Sequence, residues 1–288
     1  MTEATLVFGA GATKAGTGWL YEYLAAHPEC HFRSIKELHY FDALDWGTVD
    51  REIHKHEERQ SFFVHKVSVA GGSAIIDFAE RLRDRTEWLN ILGEGEENVA
   101  SYLDYLERGR TQEKIIGDIT PAYGLLAEER LRNMAGLRDE VRFIFLMRDP
   151  VDRLWSHVRM MAVRRDPDDK LTSDRADRIF RRTLRGEEPQ ISQRSDYAKI
   201  VARLQRAAGD RLLVVFFEDL FRGGAIKSIC AHLGIKHRRA PAGAVVHRGQ
   251  RLEISPEQRR LAREWLAPQY DFAASQFTAL PKAWHQSA

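Results

Sequence analysis

The first residues whose types and spacing suggest chemistry lie in a loop near the start of the chain. Residues 6–20 read LVFGAGATKAGTGWL, an apolar run followed by small residues and one lysine, Lys14. The apolar run predicts a strand, and Trp19, Leu20 and Leu24 predict a helix after the loop. A glycine-rich turn before a helix binds phosphate, because backbone N–H groups and the positive end of the helix dipole face the anion. The loop therefore predicts a ligand that carries a phosphate group.

Two common phosphate-binding loops fit this order of residues poorly. The dinucleotide fingerprint shares Gly9 and Gly11 but needs a third glycine where this chain has Lys14. The loop of nucleoside triphosphatases needs Ser or Thr after its lysine to hold magnesium, whereas Ala15 follows Lys14 here. Asp118, at the end of a later apolar run, is the residue that best resembles a magnesium-binding aspartate. A kinase that uses Mg-ATP and a non-catalytic nucleotide-binding protein stay open as alternatives.

A second polar cluster follows residues 141–147, VRFIFLM, which form the strongest predicted strand. Asp149 is expected to cap the next helix and Pro150 to occupy its first turn. Ser156 follows Asp149 by about two helical turns, so its hydroxyl lies on one face beside the capped end. Ligands of parallel sheets bind at the carboxyl ends of the strands. Arg148 and Ser156 are therefore expected near the first loop.

Together the two segments resemble those of sulfotransferases that use 3′-phosphoadenosine 5′-phosphosulfate (PAPS). Residues 11–20 are similar to the family's 5′-phosphosulfate loop. Residues 145–156 are similar to its 3′-phosphate segment, in which an arginine and a serine eight residues later hold the phosphate. The resemblance implies PAPS as donor, adenosine 3′,5′-bisphosphate as product, and no metal. It implies these donor-binding residues: Lys14, Ala15, Gly16, Thr17, Gly18, Arg148, Ser156, Tyr197, Arg248 and Arg251. For Tyr197 the alternative is packing in the core. For Arg248 and Arg251 the alternative is a basic loop exposed to solvent.

The same resemblance implies which residues catalyse the transfer. Lys14 would stabilise the negative charge that develops on the bridging oxygen as the nucleotide leaves; a surface lysine in a turn is the alternative. Residues 36–42, KELHYFD, are similar to the glutamate-bearing segment of the carbohydrate (heparan-sulfate-type) branch and its bacterial relatives. Glu37 would then be the base, ideally with a pKa raised by partial burial. His39 is the rival base, because related sulfotransferases of small alcohols and phenols use a histidine.

Further segments resemble the same branch, with two departures. Residues 120–123 match its T-P-x-Y segment, and residues 218–220 match its E-x-L segment. Residues 194–197 match its R-G-x-Y segment except that Ser195 replaces the glycine. Ile119 stands where that branch usually has a lysine. A carbohydrate-like hydroxyl is favoured as acceptor, while a lipid headgroup, a phenol or a small metabolite stays open.

Strands separated by helices must position these segments. Such alternation predicts an α/β fold with a parallel sheet flanked by helices on both faces. The resemblance implies the sulfotransferase fold, which is similar to that of P-loop nucleotide-binding proteins. We expect one domain over residues 1–288, in which residues 48–110 form a helical elaboration near the acceptor site. Within it, residues 75–92 and 99–106 predict helices, and residues 61–69 predict a strand or surface segment.

Composition limits the class of protein. The 288 residues carry a formal charge of +2 with 43% hydrophobic residues, which predicts a globular chain without a general attraction to nucleic acid. The first residues resemble no secretory signal and no apolar run is long enough to span a membrane. Cys30 and Cys230 have no metal-binding or redox spacing, as expected of a cytoplasmic protein. The expected partner is a small-molecule or carbohydrate acceptor, and the oligomeric state is left open.

Overall fold

A parallel sheet forms the centre of the structure, a computed structural model that describes residues 3–166, 168, 170–222, 224–239 and 252–285. The strands in this part of the chain are β1 Thr5–Gly9, β2 Cys30–His31, β3 Ile115–Asp118, β4 Val141–Met147 and β5 Leu212–Phe216. Their order in the sheet is β2-β3-β1-β4-β5, and every pair is parallel. In register, Phe8 pairs with Asp118 and Gly9 pairs with Ile144. The ends of β1, β3 and β4 therefore meet at one edge, as predicted.

Helices cover both faces of this sheet, which confirms the predicted fold class. They are α1 Thr17–Ala25, α2 Tyr40–Asp45, α3 Val49–Val69, α4 Ala74–Leu92, α5 Val99–Glu107, α6 Glu128–Ala135, α7 Pro150–Arg164, α8 Ser173–Leu184, α9 Pro189–Gln193, α10 Tyr197–Ala208, α11 Phe217–Leu220, α12 Gly224–His232, α13 Pro256–Trp265 and α14 Ala267–Gln276. Short 3₁₀ turns occupy Pro121–Leu125, Gly209–Arg211 and Lys282–Trp284. None of the helices described is long and apolar enough to cross a membrane.

The core lies on both sides of the central strands. Phe8 on β1 contacts the rings of Phe41, Tyr123 and Phe143, with centroids 6.1, 6.0 and 5.3 Å away. Such edge-on and tilted ring pairs add to the stabilisation from buried area. Because Phe41 and Tyr123 follow the strand ends, this aromatic cluster fixes the two loops that carry the acceptor-side residues.

The predicted start of α7 is confirmed. The Asp149 carboxylate accepts a hydrogen bond from the backbone N–H of Asp152 at 2.9 Å, and Pro150 is the first helical residue. A capped helix start fixes the direction in which the helix leaves the sheet. The face that carries Ser156 is thereby fixed relative to the end of β4.

The alternative of a surface segment is confirmed, because most of these side chains are exposed, but the strand predicted for residues 61–69 is wrong. They form the last turns of α3, which runs for 21 residues and packs against α4 as a helical hairpin. Phe63 is buried and its ring lies 6.4 Å from that of Phe78, while Phe62 and Val64 are exposed. The apolar run resembles a strand in sequence, but in the helix only Phe63 faces the core, while Phe62 and Val64 face solvent.

Candidate active site

The loop between β1 and α1 runs along the end of β4. The Ala12 N–H donates to the carbonyl of Leu146, and the Leu146 N–H donates to the carbonyl of Gly11, both at 2.8 Å. Gly16, the residue before α1, has a φ of 93°, and a Cβ placed there would lie 2.6 Å from the ring of Phe217. A side chain at this position is therefore excluded both by backbone conformation and by space.

The first turn of α1 offers backbone donors to an anion. No side chain caps this helix, and helix geometry leaves its first N–H groups without partners inside the helix. Gly16, Thr17 and Gly18 supply these groups. The Ala15 N–H instead donates to the carbonyl of Ala12 at 3.0 Å and closes the turn. The Ala15 N–H is thus engaged within the turn and shapes the loop, and a contact of Ala15 with the donor stays a prediction.

Lys14 occupies a strained position at the centre of a positively charged region. Burial lowers its pKa, and the nearby charges of Arg148, Arg159 and Arg164 lower it further, while Glu37 acts in the opposite direction. Its φ of 72° lies in the left-handed region that favours glycine. A cation held in such an environment attracts a multiply charged anion.

The two predicted phosphate segments meet at Arg148. Its guanidinium donates to the carbonyl of Lys14 at 3.3 Å and lies over the ring of Phe217, 4.9 Å from the centroid. The hydroxyl of Tyr197 accepts from the Arg148 N–H at 3.2 Å and donates to the Arg148 carbonyl at 2.9 Å. Tyr197 is fully buried, so this geometry supports a role in holding Arg148. Ser156 lies two turns into α7 and is nearly buried.

The buried carboxylate of Asp149 and the half-buried carboxylate of Glu218 fix the backbone beside Arg148. Glu218 accepts from the Asp149 N–H at 2.8 Å, and Asp149 accepts from the hydroxyl of Tyr270 at 2.9 Å. Burial raises the pKa of both carboxyl groups and outweighs the hydrogen bonds that they accept, which lower it. Residues 218–220 therefore support, from the neighbouring strand end, the segment that is predicted to bind the 3′-phosphate.

Glu37, His39 and Asp42 form a chain of polar groups on the acceptor side. His39 Nδ1 lies 2.7 Å from Asp42 Oδ2, and His39 Nε2 lies 3.7 Å from Glu37 Oε2. Lys36 forms an ion pair with the other oxygen of Glu37. Asp42 is buried, and its Oδ1 has no hydrogen-bond partner among the described residues. Asp42 therefore orients the imidazole, which in turn faces the Glu37 carboxylate.

The charges of this chain set its protonation. Burial lowers the pKa of His39, but the hydrogen bonds and charges of Asp42 and Glu37 outweigh it and raise the pKa to about 10. Burial raises the pKa of Glu37, but His39 and Lys36 outweigh it and hold the pKa at about 2. The expected rise in the pKa of Glu37 is thus wrong, because the neighbouring cations have the larger effect. At neutral pH Glu37 is therefore a carboxylate and His39 an imidazolium.

Backbone strain is concentrated at the predicted catalytic residues. Among the described residues, the non-glycine residues with positive φ are Lys14 at 72°, Glu37 at 63° and His39 at 54°. Such conformations persist only where the surrounding structure imposes them, and they cluster at functional sites. The structure therefore singles out the same three residues that the sequence proposed for catalysis.

Asp118 holds the acceptor-side segment in place. It is buried and accepts hydrogen bonds from the hydroxyls of Thr120 at 2.6 Å and Tyr102 at 3.1 Å, and from that of Tyr123. Thr120 and Tyr123 in turn accept from the backbone N–H groups of His39 and Tyr40, at 3.4 and 3.2 Å. Both oxygens of Asp118 are thus used internally, which leaves the magnesium ligand of the kinase alternative without support.

Several outcomes concern single predicted residues. Ile119 is buried, and its side chain occupies the space over Gly9, so this position belongs to the core. Arg248 and Arg251 lie outside the described residues. Among the described residues, no group of three or more His, Cys, Asp and Glu side chains is arranged to hold a metal ion. Cys30 and Cys230 are buried free thiols.

Sequence reasoning missed Asp42 and the buried Arg153. The spacing of Asp42 from His39, three residues apart at the start of a helix, was the signal for their contact. Arg153 is fully buried on α7. Its sequence signal is weak, because an arginine among apolar residues is usually interpreted as the solvent face of a helix.

Comparisons with known proteins bear on the family and the fold of this chain. A model of the Sulfotransferase family matches residues 7–239. A sulfotransferase structure from Alicyclobacillus acidocaldarius covers 99% of this chain and is itself covered completely, with 18% identity and a TM-score of 0.64. The sulfotransferase domain of the Synechococcus PCC 7002 olefin synthase covers 96% of this chain, with 95% of its own length, 19% identity and a TM-score of 0.52. At these identities the likeness shows a shared fold. No curated protein matched the chain.

Proposed function

The chain belongs to the sulfotransferase family and is an enzyme of that class, and we propose that it transfers the sulfuryl group of PAPS to a hydroxyl or amine. One observation carries this proposal: the hydrogen bond of 3.3 Å from Arg148 to the carbonyl of Lys14, which joins two phosphate-binding segments at one edge of the sheet. A nucleotide phosphorylated at both its 5′ and 3′ positions is the ligand that needs both segments.

The donor side follows from these contacts. The N–H groups of Gly16, Thr17 and Gly18 hold the 5′-phosphate at the start of α1. Arg148 and Ser156 hold the 3′-phosphate beside the capped start of α7. Arg248 and Arg251 complete this list as a proposal from the sequence resemblance. Tyr197 contributes through Arg148, because its hydroxyl forms hydrogen bonds with both the backbone N–H and the carbonyl of Arg148.

The reaction is an in-line displacement. The acceptor oxygen or nitrogen bonds to sulfur as the bond from sulfur to the 5′-phosphate oxygen breaks, and the acceptor proton passes to Glu37. Lys14 stabilises the charge on the leaving oxygen, an interaction whose loss typically costs about 3 kcal/mol of barrier, or a hundredfold in rate. His39, held as imidazolium by Asp42, keeps the Glu37 carboxylate ionised and oriented. Because the transition state is loose, catalysis depends more on this positioning than on the strength of the base.

We propose a small-molecule or carbohydrate hydroxyl as acceptor, in keeping with the resemblance of residues 36–42 to the carbohydrate branch. The helix α3 borders this side, since the buried Glu52 on α3 contributes to the raised pKa of His39. The two buried thiols support a reducing compartment, and we propose the cytoplasm.

A transfer assay tests the proposal. The protein is incubated with PAPS labelled at its sulfuryl group and a panel of sugars, phenols, alcohols and lipid headgroups, and labelled products are separated. We expect transfer to one acceptor class, with Lys14→Met slower by about a hundredfold. Lys114→Met is the matched control and should keep the wild-type rate, because Lys114 lies just before the start of β3, where it pairs with Glu29 away from the loop. No labelled product from any acceptor, or equal rates for wild type and Lys14→Met, would contradict the proposed reaction.

A further inference from the structure

Arg153 is a cation buried without a carboxylate. Its side chain is fully buried on α7, between Arg148 and Ser156 in sequence. One guanidinium nitrogen donates to Ser195 Oγ, and the other terminal nitrogen lies 3.4 Å from His157 Nδ1. In the part of the chain that the structure describes, the Nε of Arg153 has no hydrogen-bond partner, and no carboxylate is among the charges that shift the pKa of Arg153. A buried charge of this kind is costly unless another charge compensates it.

Ser195 explains why the guanidinium stays in place. Its hydroxyl donates to the carbonyl of Ile191 at 2.9 Å, which leaves its lone pairs to accept from Arg153. Ser195 is itself buried and replaces the glycine of the R-G-x-Y segment. The departure from the family pattern therefore provides the acceptor that holds this arginine.

The surroundings of Arg153 are positively charged. The charges of Arg148 and Arg194 reach its guanidinium, and burial with these charges lowers the pKa of Arg153 to about 10. Burial and the charge of Arg153 also lower the pKa of His157, so the imidazole stays neutral and offers Nδ1 as acceptor. The guanidinium of Arg153 is thus still a cation at neutral pH, and the low-dielectric surroundings screen its charge little.

We propose that Arg153 is a specificity-determining residue for the donor nucleotide: its buried charge, held by Ser195, favours ligands that carry a 3′-phosphate beside Arg148 and Ser156. It acts through the electrostatic potential at this segment and touches no ligand atom, so it is a positioning residue and not a catalytic one. The inference rests on the proposed donor, since that donor supplies the missing negative charge.

The test compares two nucleotides that differ by the 3′-phosphate. Calorimetry gives the Kd of adenosine 3′,5′-bisphosphate and of adenosine 5′-monophosphate for wild type, Arg153→Met and Arg153→Lys. We expect Arg153→Met to weaken the bisphosphate about tenfold, which is 1.4 kcal/mol, and to leave the monophosphate nearly unchanged. Arg153→Lys keeps the charge and should keep most of the preference. Arg153 would have only a packing role if Arg153→Met weakened both nucleotides equally. The same would follow if Arg153→Lys lost the preference for the bisphosphate as fully as Arg153→Met.

Control variants separate folding from charge. Arg138→Met removes another buried arginine, which pairs with Glu107 near the opposite edge of the sheet. It should lower the melting temperature and leave the preference for the bisphosphate intact. Should Arg153→Met fail to fold, Arg153→Lys decides alone, because a lost preference with the charge retained overturns the proposal. Wild-type protein that binds neither nucleotide would contradict the proposed donor itself, whereas an intact preference in Arg153→Met overturns only the role of Arg153.

Discussion

The substitution Asp42→Asn tests how the acceptor-side chain of charges works. The amide would keep the shape of the side chain but remove the negative charge 2.7 Å from His39 Nδ1. Asp42 is buried, so water does not replace that charge. The substitution therefore changes the protonation of His39 while it leaves Glu37 and the donor loop in place.

The expected shift follows from the balance at His39. In the wild-type protein its pKa is about 10, because Asp42 and Glu37 together outweigh burial. One close opposite charge shifts a pKa by on the order of 2 units. Without it, only Glu37 and the charge of Glu52 oppose burial, and the pKa of His39 falls into the range of an ordinary assay. The imidazolium then loses its proton as the pH rises through the new value.

The assay is the pH dependence of kcat with both substrates saturating, between pH 5 and pH 9. In wild type, Glu37 stays ionised and His39 stays protonated throughout this range, so neither group should produce a titration step. In Asp42→Asn, one step should appear, with activity falling as pH rises, because Glu37 loses the imidazolium that orients it. Activity that instead rises with pH in either protein would show that neutral His39 is the base, and would refute this reasoning.

Two further substitutions test the donor side. Gly16→Ala should destabilise the protein by about 3 kcal/mol in urea unfolding, since its Cβ meets Phe217 and its φ is positive; Gly47→Ala, with positive φ but open space, should cost only about 1 kcal/mol. Equal losses would show that the contact with Phe217 is unimportant. Tyr197→Phe should cost about 2 kcal/mol and weaken adenosine 3′,5′-bisphosphate about tenfold in calorimetry, because the Arg148 backbone loses both partners. Unchanged affinity would separate Tyr197 from the donor site.

The central strands and the donor loop could be predicted from the sequence because their signals are local. Residues 141–147 form an uninterrupted apolar run apart from Arg142, and β4 has the predicted bounds. The cap of Asp149 and the position of Pro150 depend on adjacent residues alone. Residues 61–69 carry no such signal, because α3 exposes Phe62 and Val64, and only its pairing with α4 determines which apolar side chain is buried.

Local backbone geometry and long-range contacts explain what the sequence left out. The pKa of Glu37 is set by its sequence neighbours Lys36 and His39, whose contacts with the carboxylate depend on the folded backbone and outweigh the burial that the sequence suggested. The use of Asp118 depends on the hydroxyls of Tyr102 and Tyr123, which come from separate elements. Arg153 and Ser195 lie 42 residues apart, so their contact is visible only in the fold.

The most direct test of the central claim is the melting temperature with adenosine 3′,5′-bisphosphate in the presence of EDTA. A ligand that binds the native state raises the melting temperature through a free energy that grows with the logarithm of its concentration relative to Kd, about 2.7 kcal/mol at a hundred times the Kd. The two joined phosphate segments predict a clear rise with the bisphosphate without magnesium, and a smaller one with adenosine 5′-monophosphate. A rise that only Mg-ATP produces would contradict the sulfuryl-donor site.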